Sequence, residues 1–177
     1  QLPLSLFVGS MVVPLFPMFS KKVSASDMEG LKDLLAGSYH ILGILLLPVV
    51  GIFIVLPEPL IAVLFQRGEF GAQAVQLTGL ALATYSLMIL PFAMRDVITR
   101  VMYSMKDTWT PVINSVIMVL LNITLMALLV PRLGMVGITA SVAISTTFAF
   151  LRLRHKLVKK IGVVETKAQN IWLAILG

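Results

Sequence analysis

The chain has 177 residues, of which 58% are hydrophobic and only 12% are charged, whereas soluble domains carry roughly 45–50% apolar and about 25% charged residues. One soluble core of this size cannot bury that excess, so the composition predicts an all-α polytopic membrane protein with a helical bundle. The net charge of +6 does not indicate a nucleic-acid partner, because the basic residues lie between apolar runs, where they set membrane topology.

Five apolar runs in chain order predict about five transmembrane helices, and a sixth run starts near the end of the sequence. The predicted helices cover about residues 2–20, 34–57, 74–104, 111–131 and 135–155. Each is longer than the roughly 9–11 residues of a membrane β-strand. Residues 166–177 would start a further, truncated transmembrane helix, so we expect residues 1–165 to belong to a larger transporter.

Short polar patterns predict where helices begin and end. Residues 26–29 (SDME) have the side chains typical of a helix N-terminus. Thr110 is a second candidate N-cap, because Pro111 suits the first helical position. Residues 60–65 are too short to span a bilayer, and residues 152–167 read as a basic connector after the fifth span.

Two prolines and one run of small residues predict how the spans bend and pack. Pro48 and Pro91 lie inside the second and third spans, where a proline frees a backbone carbonyl and bends the helix. We therefore expect them to act as hinges. The run GITASVAISTT at residues 137–147 predicts close packing against another helix.

The distribution of basic residues predicts the orientation of the spans. Twelve of the fourteen Lys and Arg residues fall on one side: Lys21, Lys22, Lys32, Arg95, Arg100, Lys106, Arg152, Arg154, Lys156, Lys159, Lys160 and Lys167. Arg67 and Arg132 fall on the other side. Because basic residues concentrate in cytoplasmic loops, the first run should travel from the outside to the inside.

Arg95, Asp96 and Arg100 are the clearest candidates for substrate binding. Charges within a membrane span are costly and tend to be functional. Asp96 and Arg100 have the i, i+4 spacing of a same-face ion pair, whereas Arg95 has no acid at that spacing and would be free to meet an anion in a central cavity. Alternatively, Arg95 extends to the inner interface and binds nothing.

Three other residues are weaker candidates. Asn114 lies on one face of the fourth span with Asn122, and buried amides of this kind either join helices or contact substrate. Arg67 and Glu69 lie in the predicted outer loop, where they could contact a headgroup or simply be solvated. No catalytic constellation, metal-ligand cluster or cofactor motif is present in the sequence, so we expect a protein that is not an enzyme and uses no cofactor or metal.

Four motifs resemble the lipid II flippases of the MurJ (MviN) type, in that family's order and spacing. They are PLFPMFSK at residues 14–21, PLIAVLFQRGEF at 59–70, RVMYSMKDTWTP at 100–111 and LGMVG at 133–137. The third motif is the most specific, because the family typically has Asp-Thr-x-Thr-Pro at this inner loop. The resemblance covers nearly the whole chain.

This resemblance implies membership of the multidrug/oligosaccharidyl-lipid/polysaccharide exporter superfamily, whose members have two helical lobes around a central cavity. The chain would form most of the second lobe and would need the missing N-terminal lobe of the same protein as a partner. The implied activity is alternating-access movement of lipid II, an undecaprenyl-diphosphate-linked muropeptide, to the outer leaflet of the bacterial inner membrane. Membrane lipids would be further partners.

Two other functions stay open at this point. Basic cavity residues favour a diphosphate lipid, which includes other polyprenyl-linked glycans, whereas a multidrug exporter should have buried acids. A membrane scaffold subunit without transport belongs to a different class, and it would have no water-filled polar cavity.

Overall fold

The computed structural model describes residues 15–65 and 71–162, and these residues form helices without a strand. The helices are α1 (Leu15–Ser24), α2 (Met28–Val55), α3 (Pro57–Phe65), α4 (Ala72–Ser86), α5 (Ile89–Ser104), α6 (Trp109–Leu133) and α7 (Met135–Ile161). Within the described ranges, four stretches are long and apolar enough to cross a membrane: Met28–Val55, Ala72–Ser104, Trp109–Leu133 and Met135–Ile161. The predicted all-α polytopic membrane fold is confirmed.

The first and last predicted spans fall largely outside this description. The first run is described only from Leu15, as α1, and the run predicted for residues 166–177 lies outside the described residues. α3 includes residues 60–65, the run that is too short to span a bilayer.

α2 begins with the cap that the sequence predicted. The Asp27 side chain accepts a hydrogen bond of 2.8 Å from the backbone N–H of Gly30, and it also pairs with Lys22 at 2.6 Å. The bond from Lys22 and then the bond from Gly30 hold the pKa of Asp27 below its ordinary value. Because this cap is fully formed, α2 starts six residues before the apolar run that predicted it.

The two candidate hinge prolines differ in their effect on the helices. α2 continues through Pro48 without interruption. The third predicted span is instead divided, because α4 ends at Ser86 and α5 begins at Ile89. A proline ring clashes with the carbonyl four residues earlier, which for Pro91 is that of Leu87, so the interruption lies one turn before the proline.

The ends of the last two spans differ from the prediction. α6 begins at Trp109, so the N-cap predicted at Thr110 is wrong: the N–H of Thr110 bonds to Asp107 Oδ1 at 3.0 Å instead. α7 continues to Ile161, so the first ten residues of the predicted connector are helical. The helix extends because Leu153, Leu157 and Ile161 continue its buried apolar stripe at four-residue spacing.

The main core surrounds the C-terminal half of α5. Val97, Ile98, Val101 and Met102 of α5 are fully buried. They belong to one cluster with residues of α1, α2 and α7, including Phe19, Leu31, Leu35, Leu153 and Leu157. α5 is thus the helix on which the other three converge.

α6 is held almost entirely by α7. Gly137, Ser141 and Ser145 of α7 are buried at one-turn intervals, so the predicted close packing of this small-residue run is confirmed. A Cβ at Gly137 would lie 2.7 Å from the carbonyl oxygen of Leu129. Gly134, with a φ of 55°, forms the turn between the two helices in a conformation that favours glycine.

We expect Gly137→Ala to lower the thermal unfolding midpoint of the purified protein, because the added methyl group must displace the backbone of α6. Overpacking of this kind costs about 1–3 kcal/mol. Gly43→Ala is the matched control, since no heavy atom lies within 4 Å of a Cβ there and alanine favours a helix over glycine. Equal midpoints for the two variants would contradict this account of the α6–α7 contact.

Candidate functional site

α5 has two chemically different faces. Ala93, Val97 and Val101 form one face and are fully buried in the core. The opposite face, here named the polar face of α5, carries side chains that are at least partly exposed: Arg95, Asp96, Thr99, Arg100 and Tyr103. The buried face fixes the rotation of the helix, and so it also fixes the direction in which the charged residues point.

Asp96 and Arg100 form the ion pair that their spacing predicted. Nη2 of Arg100 lies 3.3 Å from Oδ2 of Asp96. The Arg100 and Asp96 side chains are 25% and 34% exposed, so the pair lies at the edge of the packed region. Each charge therefore has a partner within the same helix.

Arg95 has no such partner among residues 15–65 and 71–162. Its Nη1 donates to the thioether sulfur of Met118 on α6 at 2.8 Å, and its buried Nε has no hydrogen-bond acceptor in that part of the chain. A thioether is a weak acceptor. Arg95 lies about 14 Å along the axis from the C-terminal end of α5, and its guanidinium has no carboxylate within ion-pair distance in the described residues.

Asn114 joins α6 to α7. It is 1% exposed; its Nδ2 donates to the carbonyl oxygen of Ala149 at 3.0 Å, and its Oδ1 accepts from Nη1 of Arg152 at 3.0 Å. Asn122 repeats the connection two turns away by donating to Ser145. These contacts support the helix-joining alternative for Asn114, and a direct contact with substrate stays a prediction.

Arg152 is the residue that the sequence analysis missed as a site candidate. We assigned it to a connector because the apolar run stops at Leu151. The apolar residues at 153, 157 and 161 could have shown that the helix continues. The pairing with Asn114 could not have been read from the sequence.

The inner ends of α6 and α7 are tied together by Asp107. Its carboxylate accepts hydrogen bonds from Lys160 of α7 and from the backbone of Thr110. Burial of the carboxyl raises its pKa, but the bonds from Lys160 and Thr110 outweigh burial and lower the pKa of Asp107 to about 2. Asp107 therefore engages Lys160 in its charged form.

The other candidates are placed as follows. Arg67 and Glu69 lie outside the described residues. Pro48 lies inside α2, and Pro91 lies in the first turn of α5. Among the described residues, no group of three or more His, Asp or Glu side chains could hold a metal ion. The arrangement on α5 and α6 instead suits binding of an anion by a guanidinium.

Comparisons with known proteins agree on one family. A family model described as "Lipid II flippase MurJ" matches residues 1–176. The chain belongs to the MurJ lipid II flippase family.

Several relatives named "Probable lipid II flippase MurJ" are similar to the chain. That of Vibrio cholerae is 28% identical over 172 residues, which cover 97% of the chain and 33% of the relative. That of Synechocystis is 30% identical over 136 residues, which cover 77% and 26%, respectively. That of Rhizobium meliloti is 28% identical over 141 residues, which cover 80% and 26%.

The chain spans about a third or less of the length of these curated relatives. MurJ flippases are inner-membrane proteins, and the four membrane-capable helices agree with this location. The chain is accordingly a multi-pass protein of the bacterial inner membrane.

We expect Asp107→Asn to lower the free energy of unfolding by about 1 kcal/mol at pH 7, because charge-assisted hydrogen bonds are lost. The folded-state pKa lies below the ordinary value of 3.8. The stabilisation is therefore present above about pH 4 and is lost as the pH falls toward 2. Thermal unfolding followed by tryptophan fluorescence from pH 7 to 3 measures this difference.

Glu29→Gln is the matched control for this measurement. Glu29 also pairs with a lysine, Lys32, but its side chain is 88% exposed, and such surface pairs contribute little. A gap between wild type and Asp107→Asn that stays constant down to pH 3 would contradict the assigned role of the carboxylate.

Proposed function

We propose that the chain forms part of a lipid II flippase that moves undecaprenyl-diphosphate-linked muropeptide from the inner to the outer leaflet by alternating access. The observation that carries this proposal is Arg95 on the polar face of α5, which has no ion-pair partner among the described residues, in a chain of the MurJ family. The proposal makes the protein a transporter that performs no chemical reaction.

The polar face of α5 requires water or a ligand beside it. A charged side chain within a membrane span is costly unless water or a partner reaches it. Arg95 is held at depth by the packed face of the same helix and cannot simply be withdrawn. A water-filled path along this face would remove the cost, and a diphosphate there would find a planar guanidinium that can donate two parallel hydrogen bonds.

The polar face of α5 also bears on the alternative functions, a multidrug exporter, a scaffold subunit and an exporter of another glycan. A multidrug exporter of cations would need an unpaired acid, but the acid on this face, Asp96, is paired with Arg100. A scaffold subunit would have no use for a charged face at membrane depth. Another polyprenyl-linked glycan would carry the same diphosphate. This site therefore does not distinguish an exporter of such a glycan from a lipid II flippase, and a transport measurement is needed to do so.

The partners follow from the same proposal. Lipid II is the substrate, and membrane lipids surround the exposed apolar face of α6. The curated relatives are about three times longer than the chain, so we propose that helices of a first lobe close the other side of the path. Arg67 and Glu69, which follow α3 in the sequence, would lie at its outer mouth.

The interruption between α4 and α5 supports a hinge for alternating access. Leu87 and Met88 separate the two helices one turn before Pro91, and the main core cluster includes residues of α5 but no described residue of α4. Rotation at this point would move α4 relative to that cluster. Pro48 would bend α2 during the same transition.

We expect Arg95→Gln to lower the amount of lipid II on the outer leaflet about tenfold or more, because a charge-assisted contact is worth about 1.5–3 kcal/mol. The assay expresses the intact protein that contains this chain in bacteria depleted of their own flippase. It then measures lipid II that is accessible to an externally added probe.

The matched control is Arg132→Gln, which removes an exposed arginine at the opposite end of α6 and should leave transport unchanged. Equal lipid II exposure with Arg95→Gln and with the control would reduce Arg95 to an interfacial anchor. A well-inserted wild type that exposes no lipid II would contradict lipid II as the substrate.

We expect Pro91→Ala to slow transport several-fold, because a continuous α4–α5 helix would resist bending at Leu87. The same assay tests Pro48→Ala, for which the smaller effect is expected, since α2 is already continuous there. Unchanged transport in the double variant would exclude the prolines as hinges.

A further inference from the structure

Like Arg95, Arg152 of α7 has no carboxylate within ion-pair distance in the described part of the chain. Its Nη1 donates instead to the amide oxygen of Asn114 at 3.0 Å. We propose that Arg152, held by Asn114, forms a binding site for the phosphate of a membrane lipid at the inner-leaflet end of α6 and α7.

The buried amide of Asn114 fixes the guanidinium in one position. Because Nδ2 of Asn114 donates to the backbone of Ala149, Oδ1 must point toward Arg152. Arginine has five N–H donors in a planar fork, and the described residues accept only from Nη1. The remaining donors form a rigid edge that matches the oxygens of a phosphate.

The depth of Arg152 also matches a lipid phosphate. The distance from Met135, where α7 begins, to Arg152 is about 26 Å along the helix axis, and the hydrocarbon core of a bilayer is about 30 Å thick. Trp109 of α6, which is 74% exposed, lies about one turn and a half beyond Asn114 toward the inner surface. Tryptophan is enriched at this interface.

This site differs from the exposed lysines nearby. Lys156 and Lys159 are exposed and no hydrogen bond within the described ranges holds them, so they attract anionic lipids without fixing a headgroup. Lys160 is already engaged by Asp107. Arg152 combines an uncompensated charge with a fixed geometry.

The site stands beside Arg95 on a shared face of α6. Asn114 and Met118 are four residues apart and lie about 6 Å from each other on that face. Arg152 of α7 contacts the first of them and Arg95 of α5 contacts the second. A phosphate bound at Arg152 is therefore one helical turn from Arg95, on the side of the inner leaflet.

Lipid binding to the intact protein that contains this chain tests the proposal. Native mass spectrometry in a neutral detergent would compare phosphatidylglycerol, undecaprenyl diphosphate and, as a lipid without net charge, phosphatidylcholine. We expect Arg152→Gln to weaken binding of a phosphate lipid about tenfold, since charged hydrogen bonds are lost. Arg154→Gln removes the same charge from an exposed position two residues away and should change binding less than twofold.

The outcomes separate the source of the phosphate. If Arg152→Gln loses binding of undecaprenyl diphosphate alone, the result supports a site for the transported lipid. This interpretation rests on the proposed function. Loss confined to phosphatidylglycerol supports a site for a bilayer lipid even if the proposed function fails. Equal losses for the Arg152 and Arg154 variants, or no loss in either, would overturn the proposal.

Arg152→Lys keeps the result interpretable if the glutamine variant does not fold. Lysine retains the charge but lacks the planar fork, in which one nitrogen bonds Asn114 while the other donors face a phosphate. We expect it to bind phosphate lipids with intermediate affinity. Wild-type affinity in Arg152→Lys would show that charge alone suffices, and it would contradict a site built on Asn114.

Discussion

The two-sided character of α5 is the constraint on which the rest of this structure depends. Val97 and Val101 are fully buried among α1, α2 and α7, so α5 cannot rotate without opening the core. The same packing fixes Arg95 on the opposite face of the helix, where a charge within a membrane span would be costly. Burial of one face of α5 thus fixes the charged side chains on the other face. The free energy of packing offsets the cost of placing a guanidinium in the span.

α6 completes the arrangement although it is poorly buried. It exposes large apolar side chains on one side, and on the other it is held by α7 through the close approach at Gly137 and the buried amide of Asn114. Small residues allow this approach in a membrane, where apolar contact alone gives helices little reason to associate. Because the hairpin is rigid, Asn114 and Met118 present fixed contacts to arginines from two different helices.

The sequence was a good guide to features that depend on neighbouring residues. Hydropathy predicted the four spans that the structure describes, the spacing of Asp96 and Arg100 predicted their ion pair, and Asp27 predicted a cap. The sequence did not predict features that depend on residues far apart in the chain. The start of α6 depends on Asp107, whose carboxylate is held by Lys160 more than fifty residues later, and the contacts of Arg95 and Arg152 depend on which helices pack together. Pro91 is intermediate, since its identity predicted a bend and only the fold placed the interruption at Leu87.

The two arginines of the polar face of α5 would serve a transported anion in different ways. Arg100 has Asp96 as an internal counter-ion, so a phosphate that leaves Arg100 is replaced at once by a carboxylate, and release costs little. Arg95 has only a thioether in the described part of the chain, so release from Arg95 exposes an uncompensated charge unless water replaces the phosphate. Binding should therefore be tightest at Arg95 when the path is dry and weakest when it is hydrated. Opening of the path to water at the outer surface would then favour release there, which is the directional behaviour that outward movement of a diphosphate lipid requires.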